Sequence, residues 1–298
     1  MNVLPLKNSC AAKAGAVYSA AVCFYIVLSV IFSLIMGGIN NGEVAAYLNF
    51  LCSPVAICAA LFASTKLFNI PLRSAAPLKC SPKYYLIGVL AVFGLLFALS
   101  PLNGLFISLL EKIGYTAPQT DLPSLEGGGV ASVIIVAALF PAVCEELLFR
   151  GYILSNANLG VGSVRAVFLT GFLFSLYHGS PAQTIYQFIC GCVFALIAVR
   201  SGSVLPTMLA HFLNNAVIVI LEALSLVNAD GNVAMPYGAF IAVTVLAALS
   251  LAGALVWLIL DKKPAAAKQE GEVKNFFIWG SVGIFIMALV WILSLFPL

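Results

Sequence analysis

The stretch Pro141-Ala-Val-Cys-Glu-Glu-Leu-Leu-Phe-Arg-Gly151 places three charged side chains directly after a long apolar run. Fifteen uncharged and mostly apolar residues, 130–144, lead into Glu145 and Glu146, and Arg150 follows four positions after the second glutamate. A charged side chain at the centre of a membrane-spanning helix costs about 2.5–3.5 kcal/mol on insertion scales. Two adjacent carboxylates in such a segment therefore need a partner, a water-filled cavity or a chemical role.

The composition of the whole chain is that of a membrane protein. Of its 298 residues, 62% are hydrophobic and 8% are charged, whereas soluble domains carry about 25% charged residues. This excludes a soluble fold and leaves no separate soluble domain. The net charge of +3 is explained by membrane topology, so we expect no nucleic-acid partner. The eight cysteines are scattered without a CxxC pair, and we interpret them as packing residues.

Apolar segments close to the length of about 20 residues that crosses a bilayer occur nine times. We predict an all-α, polytopic membrane helix bundle with eight to nine transmembrane helices. The third segment is interrupted by Pro101, so its tail can lie along the membrane surface, and the ninth looks like an appendage to the other eight. The predicted spans are about 15–37, 44–65, 84–110, 129–152, 164–179, 182–200, 203–227, 236–260 and 275–297.

The distribution of basic residues predicts a cytoplasmic N-terminus. If the N-terminus lies inside and the spans alternate, Lys112 is the one lysine or arginine that falls outside. Cytoplasmic segments of membrane proteins carry an excess of lysine and arginine, which fits this orientation. Acidic residues show the reverse trend; those on the outer side are Glu43, Glu111, Asp121, Glu126 and Asp230.

The spacing within the glutamate stretch divides its charged side chains into two groups. Glu146 and Arg150 are four residues apart on a helix, so they share a face and can form an ion pair. Glu145 points about 100° away from Glu146 and is free to face a cavity. Pro141 cannot donate a backbone N–H, which predicts a kink that opens space near the carboxylates. The alternative is that both acids pair with basic groups at the inner membrane surface.

The chain contains two histidines, His178 and His211, and both lie in or beside apolar segments. His211 and Asn215 are one helical turn apart on the seventh span, and so share a face. Taken singly, His178 is more typical of an interfacial or packing residue, and the other two can bridge helices by hydrogen bonds. The predicted spans also place His178 roughly 20 Å above Arg165, closer to the outer side than Glu145 and His211.

Together these side chains form a plausible hydrolytic set. A carboxylate and an imidazole can deprotonate a water molecule, and a second imidazole and an amide can donate hydrogen bonds to the oxyanion of a tetrahedral intermediate. This combination indicates hydrolysis of a peptide bond by an activated water. The same histidines with Glu145 could instead hold zinc with one open position. The sequence contains no HExxH motif, which excludes a zincin-type helix.

Three motifs on three predicted membrane segments resemble those of the CPBP family. This family of intramembrane proteases includes the type II CAAX prenyl endopeptidase and bacterial bacteriocin-processing and self-immunity proteins. Each motif is weak alone, but their order and their separate segments make the resemblance specific. The motifs are Glu145-Glu146-x-x-x-Arg150, Phe174-x-x-x-His178 and His211-x-x-x-Asn215.

The resemblance implies a role for each of these positions. Glu145 with His178 would activate the attacking water, and His211 with Asn215 would form the oxyanion hole. Supporting residues would order the site; these are Glu146, Arg150 and Phe174. The family is commonly labelled metalloprotease, although a metal-free mechanism has also been argued for it. The absence of an established zinc spacing favours the metal-free mechanism, with zinc kept as an alternative cofactor.

The resemblance also implies an organisation and a class of partner. We expect N-terminal helices in 1–128, a catalytic CPBP-type core in 129–227, and C-terminal helices in 228–298 with a basic linker at 261–274. The substrate would be a peptide or a lipidated protein, such as a bacteriocin leader or the tail of a membrane protein in a bacterial cell membrane. The active site would face the cytoplasm. The sequence carries no signal for an oligomeric state.

Two other classes of function compete with a protease. The first is a proton-coupled transporter that uses Glu145 and the histidines as a proton relay. Such transporters usually contain internal repeats and paired broken helices, and neither is evident in this sequence. The second is a non-catalytic immunity or scaffold protein, for which Glu145→Gln would leave function intact.

Overall fold

The chain forms a bundle of helices in a computed structural model. The structure describes residues 9–38, 41–68, 79–118, 122–126, 128–226, 233, 235–261 and 273–296. These residues contain ten α-helices and no strand, so the predicted all-α architecture is confirmed. The helices are α1 (Cys10–Met36), α2 (Gly42–Phe68), α3 (Lys83–Ala98), α4 (Ser100–Glu111), α5 (Gly129–Val161), α6 (Ser163–Tyr177), α7 (Thr184–Ser201), α8 (Leu205–Ala223), α9 (Tyr237–Leu260) and α10 (Val273–Leu295).

Within the described residues, each of the nine predicted apolar segments is helical. Seven helices are long and apolar enough to cross a membrane, and α3 with α4 would make an eighth if this bent pair is one span. The 15-residue α6 is apolar but shorter than the other candidates. The protein is therefore an integral, multi-pass membrane protein. The number of spans and the cytoplasmic N-terminus stay predictions, and most of the linker at 261–274 lies outside the described residues.

The predicted interruption near Pro101 is confirmed as a bend of 41° between α3 and α4. Pro101 occupies the first turn of α4, where its missing backbone N–H leaves no helical hydrogen bond unmade. Beyond the bend, Leu102, Leu105 and Leu109 follow a helical spacing and are exposed. α4 therefore presents an apolar stripe to its surroundings.

Helix α5 is longer than its sequence predicts, and this corrects the boundary at residue 152. It continues for 33 residues to Val161, because the polar residues that suggested an end are accommodated within the helix. For example, Asn156 is buried and donates a hydrogen bond to the Tyr152 carbonyl oxygen. Two segments of α5, Ile134–Leu139 and Leu147–Leu154, are π-helical.

The true end of α5 removes the mismatch in depth between Glu145 and His178. The chain reverses at Gly162, whose φ of +87° is a conformation that glycine adopts readily. Glu145 lies 17 residues before this turn and His178 lies 16 residues after it. The two side chains can therefore meet at one depth, with Glu145 near the middle of its helix.

The last helix, α10, is an integral part of the bundle, and the expectation of an appendage is wrong. It packs along α1 through small residues, which allow membrane helices to approach closely. The Ser19 hydroxyl donates a hydrogen bond to the Trp279 carbonyl oxygen at 2.8 Å. A methyl group at Gly15 would overlap the carbonyl oxygen of Phe276. The contact between α1 and α10 therefore depends on the absence of a side chain at this position.

Gly15→Ala is expected to destabilise the protein, because the added methyl group must separate α1 from α10. Overpacking of this kind costs about 1–3 kcal/mol. The matched control is Gly253→Ala in α9, where an added methyl group has no neighbour within 4 Å. Thermal unfolding in detergent should show a lower midpoint for Gly15→Ala and an unchanged or slightly higher one for Gly253→Ala. Equal midpoints would contradict the close contact.

Candidate active site

Glu146 lies at the centre of a buried polar group that joins α5 and α8. Its side chain is completely buried, and its Oε1 accepts a hydrogen bond from Arg150 Nη1 at 2.7 Å. The same oxygen lies 3.0 Å from His211 Nδ1. The ion pair predicted between Glu146 and Arg150 is therefore present. The contact with His211 was not predicted, because the register between α5 and α8 cannot be derived from residue spacing.

Arg150 extends from α5 to contact both α6 and α7. Its Nη2 donates to the Gly191 carbonyl oxygen at 3.2 Å, and its guanidinium carbon lies 4.4 Å from the Phe174 ring centroid and 5.4 Å from that of Phe194. Desolvated cation–π contacts of this kind are worth about 2 kcal/mol. Phe174, the first residue of its motif, thus packs against the guanidinium of Arg150. Phe194 has a similar position, but no motif signalled it.

Glu145 faces away from the Glu146 ion pair, as the helical spacing predicts. Its Oε2 lies 3.9 Å from His211 Nε2 and 4.0 Å from His178 Nε2. These separations are too long for direct hydrogen bonds. Oε2 is buried and has no hydrogen-bond partner among the described residues. The structure therefore brings both histidines and the free glutamate to one point, with room between them for a small bridging group.

The hydrogen bonds of the two imidazoles determine which ring nitrogens face this point. His178 Nδ1 lies 2.8 Å from the Phe174 carbonyl oxygen, which can only accept, so Nδ1 carries the hydrogen. The carboxylate of Glu146 imposes the same tautomer on His211. In the neutral form of either ring, Nε2 then presents a lone pair toward Glu145. Three acceptor atoms therefore converge, namely Glu145 Oε2 and the two Nε2 atoms. A group that carries hydrogens can donate hydrogen bonds to them.

Asn215 lies on α8 one turn after His211, and its amide is partly engaged in holding α5. Its Nδ2 donates to the Ala137 carbonyl oxygen at 3.3 Å. Ala137 is four residues before Pro141, which has no N–H to donate to that carbonyl, so a neighbouring helix supplies the hydrogen bond. Where the sequence predicts a kink at Pro141, the structure has a π-helical segment in the preceding turn. The amide of Asn215 has a second N–H that this hydrogen bond does not use.

The turn that carries His178 is held by the last helix. The indole Nε1 of Trp291 donates to the Thr184 hydroxyl at 2.7 Å, and this hydroxyl donates to the Ser180 carbonyl oxygen at 3.1 Å. Gly179 lies against Met287 and Val290 of the same helix. α10 thereby restrains the chain on the C-terminal side of His178.

The geometry around Glu145 does not match a zinc site. In the part of the chain that the structure describes, no group of three or more His, Cys, Asp or Glu side chains is arranged to hold a metal ion. Ligands of tetrahedral zinc at bond lengths of 2.0–2.1 Å lie about 3.4 Å apart. The separations of 3.9 and 4.0 Å from Glu145 Oε2 to the imidazoles exceed this value.

The model of the family described as type II CAAX prenyl endopeptidase Rce1-like matches residues 127–217. This segment covers about a third of the chain and contains all three motifs of the candidate site. No curated protein and no solved structure matches the chain. The match therefore supports an intramembrane endopeptidase, and the matched segment is the one that holds the buried candidate site.

The matched family is one of CAAX-type intramembrane proteases, and the match supports the resemblance of the chain to the CPBP family. The resemblance seen in its three motifs is thereby confirmed. A protease of this family acts on a peptide or protein substrate in a membrane environment, and the match leaves the mechanism and the substrate to be proposed.

Proposed function

We propose that the protein hydrolyses a peptide bond near the C-terminus or in the leader of a membrane-associated substrate, with residues 129–227 as the catalytic core. The observation that carries this proposal is the convergence of Glu145, His178 and His211 on one buried point. Two helices and the turn after a third supply these groups, and the Nδ1 atom of each histidine is held by a fixed partner. Such preorganisation suits a transition state in which charge develops at one place.

The base in this mechanism is Glu145, assisted by His178. A water molecule at hydrogen-bond distance from both Glu145 Oε2 and His178 Nε2 can bridge their separation of 4.0 Å. Its oxygen attacks the carbonyl carbon of the scissile bond while Glu145 accepts one of its protons. When the tetrahedral intermediate collapses, Glu145 returns this proton to the leaving amine. The other proton of the water stays on the new carboxyl group and leaves with the product.

The oxyanion of the intermediate is stabilised by His211 and Asn215. With Nδ1–H bound to Glu146, His211 can carry a second hydrogen on Nε2 and donate it to the oxyanion. Glu146 then stabilises the positive charge of the imidazolium, and Arg150 offsets the remaining charge of the carboxylate. The second N–H of Asn215 supplies another donor. Loss of one such donor typically lowers kcat by about 10²–10³-fold.

The proposed substrate class is supported by the family match, whose description names a CAAX prenyl endopeptidase. We include prenylated CAAX-type proteins, bacteriocin leaders and the tails of membrane proteins among the candidates. The excess of lysine and arginine on one predicted side of the membrane places the opening of the site toward the cytoplasm. In a bacterial host the protein would reside in the cell membrane.

The direct test of this function is peptide cleavage by the purified protein. The full chain in detergent is incubated with a pool of prenylated and unprenylated CAAX peptides and leader peptides, and mass spectrometry identifies new termini. New termini from the wild type and none from Glu145→Gln support the proposal. Equal products from both would identify a contaminating protease. Intact peptides from both would contradict the proposal, and proton flux in liposomes would then test the transporter alternative.

The metal-free mechanism predicts that chelation does not affect cleavage. Treatment with 1,10-phenanthroline, followed by gel filtration, is expected to leave kcat unchanged, and elemental analysis should find well below one zinc per chain. The control is the same protein taken through the same gel filtration in magnesium-free buffer without chelator. Loss of activity that zinc alone restores would instead assign Glu145, His178 and His211 as zinc ligands.

A further inference from the structure

We propose that Tyr186 and Asn214 are positioning residues that orient the amide of Asn215 toward the oxyanion. Neither residue belongs to the three motifs. This inference rests on the proposed role of Asn215 and adds a connection from α7 to the site on α8.

The three side chains form a continuous series of hydrogen bonds that ends on α5. The Tyr186 hydroxyl donates to Asn214 Oδ1 at 2.6 Å. Asn214 Nδ2 donates to Asn215 Oδ1 at 3.2 Å. Asn215 Nδ2 in turn donates to the Ala137 carbonyl oxygen at 3.3 Å. Three helices are thereby joined through two amide side chains.

The direction of every bond in this series follows from one group of fixed polarity. The carbonyl oxygen of Ala137 can only accept, so Asn215 must turn its NH₂ group toward it. Asn215 Oδ1 then faces Asn214 and requires a donor, which is the NH₂ group of Asn214. Asn214 Oδ1 is left facing Tyr186, whose hydroxyl can donate. Reversing either amide would place two acceptors or two donors against each other.

Burial makes the hydroxyl of Tyr186 important for this order. Asn214 is buried, with 5% of its surface exposed, and a buried amide oxygen without a donor is destabilising. Without the Tyr186 hydroxyl, the amide oxygen of Asn214 loses the donor that holds it on that side. Rotation of its amide by 180° would place Nδ2 away from Asn215. Asn215 could then also rotate and present an oxygen, which repels an oxyanion.

The test is the steady-state kinetics of Tyr186→Phe, measured with the farnesylated CAAX peptide or whichever peptide of the pool the wild type cuts fastest. Because the oxyanion exists only after attack, a misplaced donor should lower kcat and leave KM unchanged. We expect kcat to fall about tenfold for Tyr186→Phe and about 10²–10³-fold for Asn215→Ala. In the Asn215→Ala background, Tyr186→Phe should have no further effect.

Tyr18→Phe is the matched control, because Tyr18 is also buried and its hydroxyl has no hydrogen-bond partner among the described residues. It should retain the wild-type kcat. The proposal is overturned if Tyr186→Phe keeps the wild-type kcat, or if its effect on kcat is the same with and without Asn215. Full activity of Asn215→Ala would show that Asn215 does not stabilise the oxyanion. Activity of Glu145→Gln would contradict the proposed hydrolysis as a whole.

Discussion

Glu145→Gln is expected to lower kcat by about 10³-fold or more, because the amide has the shape of the carboxylate but cannot accept the proton of the attacking water. The substitution should not unfold the protein. Glu145 is a buried carboxylate whose Oε2 faces the Nε2 atoms of two imidazoles, which carry lone pairs when the rings are neutral, and it lacks a hydrogen bond. An amide there removes a buried charge and can donate hydrogen bonds to those nitrogens.

The expected combination is therefore an inactive protein with an equal or higher midpoint of thermal unfolding. Peptide cleavage and thermal unfolding in detergent would both be measured on the same preparation. Glu222→Gln provides the control, since Glu222 is an exposed glutamate on α8 away from the site. A Glu145→Gln variant that cleaves at the rate of Glu222→Gln would show that another group activates the water.

Arg150→Met is expected to have the second large effect, this time on stability. It would leave the completely buried carboxylate of Glu146 without its cationic partner and would remove the guanidinium between Phe174 and Phe194. Removing one partner of a buried ion pair costs about 3–5 kcal/mol, because the other charge remains in a medium that solvates it poorly. We expect a large fall in the unfolding midpoint and in the yield of folded protein.

A double substitution separates this structural role from catalysis. Arg150→Met combined with Glu146→Gln removes both charges, so most of the lost stability should return, while activity stays low because His211 has lost its charged partner. Arg165→Met is the control, since Arg165 is exposed near the start of α6. If the single variant is as stable as this control, the buried ion pair is not a determinant of folding.

Sequence patterns that act within one helix predicted the structure well. The apolar segments, the bend near Pro101 and the pairing of Glu146 with Arg150 depend on local spacing. The end of α5 was predicted wrongly. Asn156 and its polar neighbours resemble a helix end in the sequence, whereas in the structure Asn156 donates to Tyr152 and this part of α5 packs against α1.

Contacts between helices could not be derived in the same way. The hydrogen bond between His211 and Glu146 joins residues 65 positions apart, and it depends on how far α8 is shifted along α5. The series from Tyr186 to Asn215 has the same origin. Its residues carry no charge and no periodic pattern, so only the packing of α7 against α8 reveals their relation.

The contact between α1 and α10 has a consequence for the synthesis of the protein. α10 follows every other described helix along the chain, yet it is the main packing partner of α1 and holds the turn after His178. A nascent chain therefore carries α1 with the face around Gly15 uncovered until residues 273–295 have left the ribosome. The proposed active site is therefore completed late in translation, after the segment that contains all its proposed catalytic groups has already been made.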